Sequence, residues 1–218
     1  MPKQFDLLIF DWDGTLMDST AAIAGSIRAA CADLNLSVPS QTQASHIIGL
    51  GLTNAIAELL PELPVDDYPA LIERYRYHFL AQDEALTLFD GVAETIPNLY
   101  HSGYWVTVAT GKNRRGLERA LDQSQLRQYF HATRCADESF SKPHPGMILE
   151  LMAYFGVAPE RTLMIGDTSH DLQMAQNAGV ASVAVSYGAH SKVSLQSFAP
   201  LYMADDFSTL AQWLTAHA

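Results

Sequence analysis

Short unbroken apolar runs recur along the chain, separated by stretches in which apolar residues return every three or four positions. Leu7-Leu8-Ile9-Phe10 is the first such run. It has no polar member, which suits a central parallel strand covered on both faces. Comparable runs predict strands over 105–109, 132–135, 162–165, 181–185 and 201–203. Helical spacing predicts helices over 92–102, 114–123, 146–155, 172–178 and 208–215. Strands alternating with helices of this length read as right-handed βαβ units, an α/β chain built on a doubly wound parallel sheet.

One block breaks the alternation. Asp18 or Ser19 can cap a helix carrying Ile23, Ile27, Ala30, Cys31 and Leu34 at helical spacing. Two further helices, over 43–48 and 53–60, are divided by Gly49-Leu50-Gly51. Pro61 and Pro64 close the third, and Asp66 caps a fourth with Leu71, Ile72, Tyr75, Phe79 and Leu80 on one side. The chain therefore divides into an α/β core, residues 1–17 and 88–218, and an inserted α-helical domain, residues 18–87. The joints fall near 17–20 and 82–90, where a hinge could let the insert open and close over the end of the first strand.

Composition narrows the setting. At 218 residues the chain can bury a proper core. Cys31 and Cys135 lie far apart in sequence and read as plain core residues of a reduced, cytoplasmic protein. The first apolar run stops at Asp11, too short for a signal peptide or membrane span, so no membrane partner is expected. Net charge is −11, with 13 basic and 24 acidic residues and no Lys/Arg-rich run. That balance disfavours a nucleic-acid partner. A small anionic substrate stays admissible, because local cations and a metal can outweigh the global field. Lysine occurs only at Lys3, Lys112, Lys142 and Lys192, so each position is informative.

The candidate chemistry lies at strand ends, where open α/β sheets collect ligands. Asp11 and Asp13 follow the first strand at i and i+2 and point the same way, so a cation or proton must relieve their repulsion. The alternative is a solvated Asp-Gly turn with a helix cap. Thr110-Gly111-Lys112-Asn113 ends another strand and offers a hydroxyl and free N–H groups to a phosphate, unless Thr110 is itself a helix cap. Pro143 and Pro145 fix Lys142 between loop and helix, where it could neutralise a phosphate and a carboxylate together. Gly166-Asp167-Thr168-Ser169-His170-Asp171 repeats the opening theme. Oxygen ligands at Asp11 and Asp167 suit Mg²⁺, with Asp171 orienting them from behind or capping the next helix. His170 reads as a surface residue.

With these stretches in place, the sequence resembles the haloacid dehalogenase-like hydrolases, in the phosphoglycolate phosphatase-like branch with a helical cap. The matching pieces are DWDGT (Asp11 to Thr15), ATG (Ala109 to Gly111), SKP (Ser141 to Pro143) and GDTSHD (Gly166 to Asp171), in order across most of the chain. Trp12 departs from the aliphatic residue common there and should point away from the site. The resemblance implies a Rossmann-like core and a Mg²⁺-dependent phosphatase acting on a small phosphate monoester. Asp11 would form an aspartyl-phosphate, while Asp13 would protonate the leaving alkoxide and then activate water. Asp11, the backbone carbonyl of Asp13 and Asp167 would hold Mg²⁺, and Thr110, Gly111 and Lys142 would bind the phosphoryl group. Gly49 and Gly51, in the cap loop where relatives read their substrate, permit close approach or simply break the helix.

The alternatives are a phosphosugar mutase on the same core, a 2-haloacid dehalogenase, which usually lacks the second aspartate, and a silent binding protein. A monomer or homodimer is expected. No lysine falls between Asp18 and Asp90, and the cations there besides histidine are Arg28, Arg74 and Arg76. Phosphonoacetaldehyde hydrolysis, which in this family needs a cap lysine, is therefore predicted absent.

Overall fold

The computed structural model describes residues 3–218. Strands β1 (Leu7–Phe10), β2 (Trp105–Thr110), β3 (Ala132–Cys135), β4 (Thr162–Gly166), β5 (Ala181–Val185) and β6 (Tyr202–Ala204) form one sheet in the order β3-β2-β1-β4-β5-β6. Every pairing is parallel. Helices α1 (Thr20–Asp33), α2 (Gln41–His46), α3 (Leu52–Leu59) and α4 (Tyr68–Asp83) stand between β1 and β2, followed by α5 (Val92–His101). The remaining helices are α6 (Arg114–Ser124), α7 (Gly146–Phe155), α8 (Ser169–Ala178), α9 (Lys192–Gln196) and α10 (Phe207–His217).

The unbroken apolar runs are explained by burial on both faces. On one face Leu8, Phe10, Val106, Val108, Leu163 and Ile165 pack with residues of α5, α6 and α10. On the other, Leu7, Ile9 and Met164 meet Met147, Ile148 and Leu151 of α7 and Met174 of α8. Trp12 turns into the first of these cores, edge-on to Phe130, as expected. Strand order runs one way from β1 through β2 to β3 and the other way through β4, so the reversal falls beside β1. Asp11 follows the end of that strand, in the crevice where such folds bind ligands.

Helices α1 to α4 share an apolar cluster of their own, with Ile27 and Cys31 of α1, Ala44 of α2, Ile56 of α3 and Leu71 of α4. Two chain segments join them to the sheet side by side: Asp18 N–H donates to Thr87 C=O and Phe89 N–H to Leu16 C=O. Both cysteines are free and buried. No described helix is long and apolar enough to cross a membrane.

Several boundaries differ from expectation for local reasons. α2 starts at Gln41 because Ser40 and Gln43 form a capping box. α8 starts at Ser169, three residues early, because Thr168 and Asp171 do the same. Asp66 caps nothing: Val65–Asp67 is a 3-10 turn that leads into α4. α9, unforeseen, is a single short helix capped by Ser191.

Candidate active site

The most deeply buried part of the site is a group of three carboxylates around one ammonium. Asp11, Asp167 and Asp171 each offer an oxygen, all within 4.8 Å of one another. Lys142 Nζ lies 2.6 Å from Asp11 Oδ1 and 2.6 Å from Asp171 Oδ1. Thr15 Oγ1 donates to Asp167 Oδ1 at 2.8 Å and Ala189 N–H to Asp167 Oδ2 at 2.7 Å. Asp171 Oδ2 accepts from the N–H and hydroxyl of Thr168, so its helix-capping and site-facing roles coexist. A Cβ at Gly188 would stand 2.2 Å from Asp167 Oδ2, so only glycine fits against that carboxylate.

The charge in this cluster is unbalanced. Burial is the main cause that raises Asp11; Lys142 opposes it, Asp171 and Asp13 add to it, and the result is about 7. Asp167 is likewise raised well above the usual carboxylate range by burial, with the charges of Asp11 and Asp171 adding. Burial alone would lower Lys142, but its two carboxylate partners outweigh that and hold it above the usual lysine value. Asp11 Oδ2 is buried with no hydrogen-bond partner. Hard oxygen donors, an orphaned carboxylate oxygen and excess negative charge together fit a hard divalent cation.

Asp13 stands in front of this cluster, towards α1 and α6. Ser19 sits at the N-cap position of α1, yet its hydroxyl does not cap. It donates instead to Asp13 Oδ1 at 2.6 Å. Lys112 Nζ pairs with the same oxygen at 2.9 Å and lies 5.0 Å above the Phe79 ring. Thr110 is buried at the end of β2 and is not the helix cap; Asn113 caps α6. Thr110 Oγ1 accepts from Lys112 N–H at 3.2 Å.

The loop between α2 and α3 closes over these residues. Gly111 has no room for a side chain, since a Cβ there would lie 2.5 Å from the carbonyl oxygens of both Gly49 and Leu50. Gly49 adopts φ +93. Gly51 N–H donates to Ser141 Oγ at 2.8 Å, next to Lys142. Between loop, α4 and α6 lies a cavity of about 550 Å³, whose wall includes Asp11, Asp13, Thr110, Gly111, Gly49 and Gly51. Lys142, Asp167 and Asp171 lie behind that wall, reached through Asp11.

Sequence reasoning missed several partners. The expectation that His170 is a surface residue is wrong: it is half-buried, and its Nε2 approaches His46 C=O at 2.9 Å. His190 Nε2 meets the same carbonyl at 3.0 Å, and its ring stacks on His46. Arg119 on α6 is ion-paired with Asp83 of α4. Arg115 and Arg76 also line the cavity. These contacts join residues far apart in the chain, and the helical phase of α4 and α6 was the one available signal.

The family model for haloacid dehalogenase-like hydrolases matches residues 8–185. The chain belongs to that family. The probable phosphatase IndB of Dickeya dadantii is 34% identical to this haloacid dehalogenase-like hydrolase, over 97% of this chain and 94% of the relative. The pyrophosphatase PpaX of Bacillus cereus is 30% identical, over 95% of each. Among solved structures, a predicted phosphoglycolate phosphatase from Haemophilus somnus superposes with a TM-score of 0.86 at 26% identity, covering 97% of this chain and 99% of that one. Within the hydrolase family the likeness is thus to the phosphatase side, in its phosphoglycolate phosphatase-like branch.

Proposed function

We propose that this hydrolase is a Mg²⁺-dependent, cytoplasmic phosphatase that cleaves a small phosphate monoester through an aspartyl-phosphate. The observation that carries the reading is Asp11: Lys142 holds one carboxylate oxygen, while the other is buried, unpartnered and next to the cavity. An oxygen in that state is a nucleophile in waiting. Asp11 Oδ2 attacks phosphorus, forming a phosphorus–oxygen bond as the ester bond breaks, and Asp13 gives its proton to the departing alkoxide. Asp13 then takes a proton from water as that water attacks phosphorus. Phosphate leaves and Asp11 is regenerated. Ser19 and Lys112 hold Asp13 in place from two sides.

Lys142, Thr110 and the N–H of Gly111 bind the phosphoryl oxygens in this reading, and their charge and dipoles are set before the reaction begins. Asp11, Asp167 and the backbone carbonyl of Asp13 hold Mg²⁺, with Asp171 fixing Lys142 and steering the ligands. Bound there, Mg²⁺ would offset the repulsion between an anionic nucleophile and a phosphate ester. We read residues 18–87 as a cap that closes over the core of residues 1–17 and 88–218, with Gly49 and Gly51 at the substrate. Chelation by EDTA abolishes phosphate release and added Mg²⁺ restores it. Full turnover in metal-free buffer would overturn the assignment.

A further inference from the structure

The cavity wall carries four cations, Arg76 on α4 and Lys112, Arg115 and Arg119 on or beside α6, against three carboxylates, Asp11, Asp13 and Asp137. That balance reverses the chain's own, in which 24 acidic residues outnumber 13 basic ones. Two of the four are engaged: Lys112 with Asp13 at 2.9 Å, and Arg119 with Asp83. Asp137 is turned to the N–H of Arg114, whose guanidinium is taken by Glu118 and Glu138. Arg76 and Arg115 line the cavity and have no hydrogen-bond or ion-pair partner among the described residues.

The two stand on different walls. Arg76 shares a face of α4 with Ile72, Tyr75, Phe79 and Leu80, the spacing of one helical stripe, and it is the only cation in that stripe. Arg115 lies in the first turn of α6, a few residues past Thr110, on the same side as Arg119. The rest of the α4 wall is apolar or aromatic, so an anion at these guanidiniums is less screened than at an open surface. A guanidinium presents paired N–H donors that match two oxygens of a carboxylate or phosphate.

We propose that Arg76 and Arg115 bind a second anionic group of the substrate, a carboxylate or a second phosphate at the end remote from the ester that Asp11 attacks. The inference rests on the phosphatase reading and names the substrate class: a compact molecule with an anion at each end. Because one arginine belongs to α4 and the other to α6, such a substrate ties the two walls together as it binds.

The test compares three esters on the wild type and on Arg76→Gln and Arg115→Gln: 2-phosphoglycolate with a carboxylate tail, ethylene glycol bisphosphate with a phosphate tail, and 2-hydroxyethyl phosphate with a neutral one. The wild type prefers an anionic tail by about tenfold or more in kcat/KM, the size expected of charge-assisted hydrogen bonds. Each substitution lowers that preference, mainly through KM, and Arg115→Lys recovers part of it. The two anionic arms tell carboxylate from phosphate. A wild type indifferent to the tail, or a preference that survives both substitutions, overturns the inference and leaves the phosphatase reading standing. No turnover of any phosphate ester with Mg²⁺ overturns both.

Discussion

Lys142 Nζ lies 2.6 Å from Asp11 Oδ1, with both side chains sealed from solvent. It is the sole ammonium among Asp11, Asp167 and Asp171, so its removal leaves three buried carboxylates without a counter-charge from the protein. Breaking a buried ion pair by deleting one partner costs about 3–5 kcal/mol. Lys142→Met should lower Tm clearly in metal-free buffer and reduce kcat by about 10²–10³, the range for losing one preset electrostatic contact. Thermal melts and p-nitrophenyl phosphate turnover check the two arms. A variant within a few-fold of wild type in kcat would remove Lys142 from the phosphoryl site.

Asp11 and Asp13 are close in sequence but differ in surroundings, and their variants should differ too. Asp11→Asn should leave no acid-stable phosphoenzyme and no turnover. Asp13→Asn should cost about 10²–10⁴ on an alkyl phosphate and less on p-nitrophenyl phosphate, whose leaving group departs without a proton. Equal losses on the two substrates would contradict proton donation by Asp13.

The raised carboxylates link metal binding to pH. Burial chiefly lifts Asp11 from 3.8 to about 7, and Asp167 moves the same way. The unfolded chain sheds these protons at lower pH than the folded chain, so between about pH 4 and pH 7 this pair costs the metal-free fold stability as pH rises. A divalent cation selects the ionised carboxylates and relieves that cost. The rise in Tm on adding Mg²⁺ should therefore be larger at pH 7.5 than at pH 5. Taking the increment at each pH cancels His190, whose pKa burial lowers to about 4 and whose own contribution runs in the opposite sense. The same increment at both values would argue that these carboxylates do not bind the ion.

The parts of the fold carried by local pattern were legible. Ala132–Cys135, Gly146–Phe155 and Ala181–Val185 have the bounds that their apolar spacing predicts. The carboxylates of the cluster were legible as well, because each follows an apolar strand and the sheet brings parallel strand ends together. What escaped were side-chain partners set by tertiary packing. Ser19 resembles an ordinary helix cap, and only the fold turns its hydroxyl to Asp13. Lys112 read as part of a phosphate-binding corner, whereas its ammonium pairs with Asp13 from across the site. The three histidines meet only because α2 packs on the start of α8 and the segment after β5. The loop at Gly49 was expected to offer a substrate no charge; the cations facing the cavity come instead from α4 and α6.

Gly51 is tightly held. A Cβ there would lie 3.0 Å from Ala136 Cβ and 3.3 Å from Ser141 Oγ, the atom its own N–H donates to. Gly51→Val should lift the loop off Ser141, raising KM or lowering kcat, while far-UV circular dichroism and the position of the melt stay near wild type. Unchanged kinetics would place the loop outside the substrate path.

The enclosure also bears on substrate size. The loop carbonyls of Gly49 and Leu50 press on Gly111, so the path from the nucleophile towards β2 is blocked by backbone that no rotamer change can move. A nucleoside triphosphate would bring a base, a sugar and about four negative charges to a wall with two unpaired guanidiniums, leaving charge to be desolvated without a partner. A small ester fits with its phosphoryl group at Asp11 and one further anion at the arginines. Small monophosphates such as 2-phosphoglycolate should therefore exceed nucleoside di- and triphosphates in kcat/KM, with pyrophosphate included in the panel because PpaX is a relative. If a nucleoside triphosphate led every small substrate tenfold, a transition-state preference of about 1.4 kcal/mol, the cavity would have to open far wider during turnover than its closed form allows.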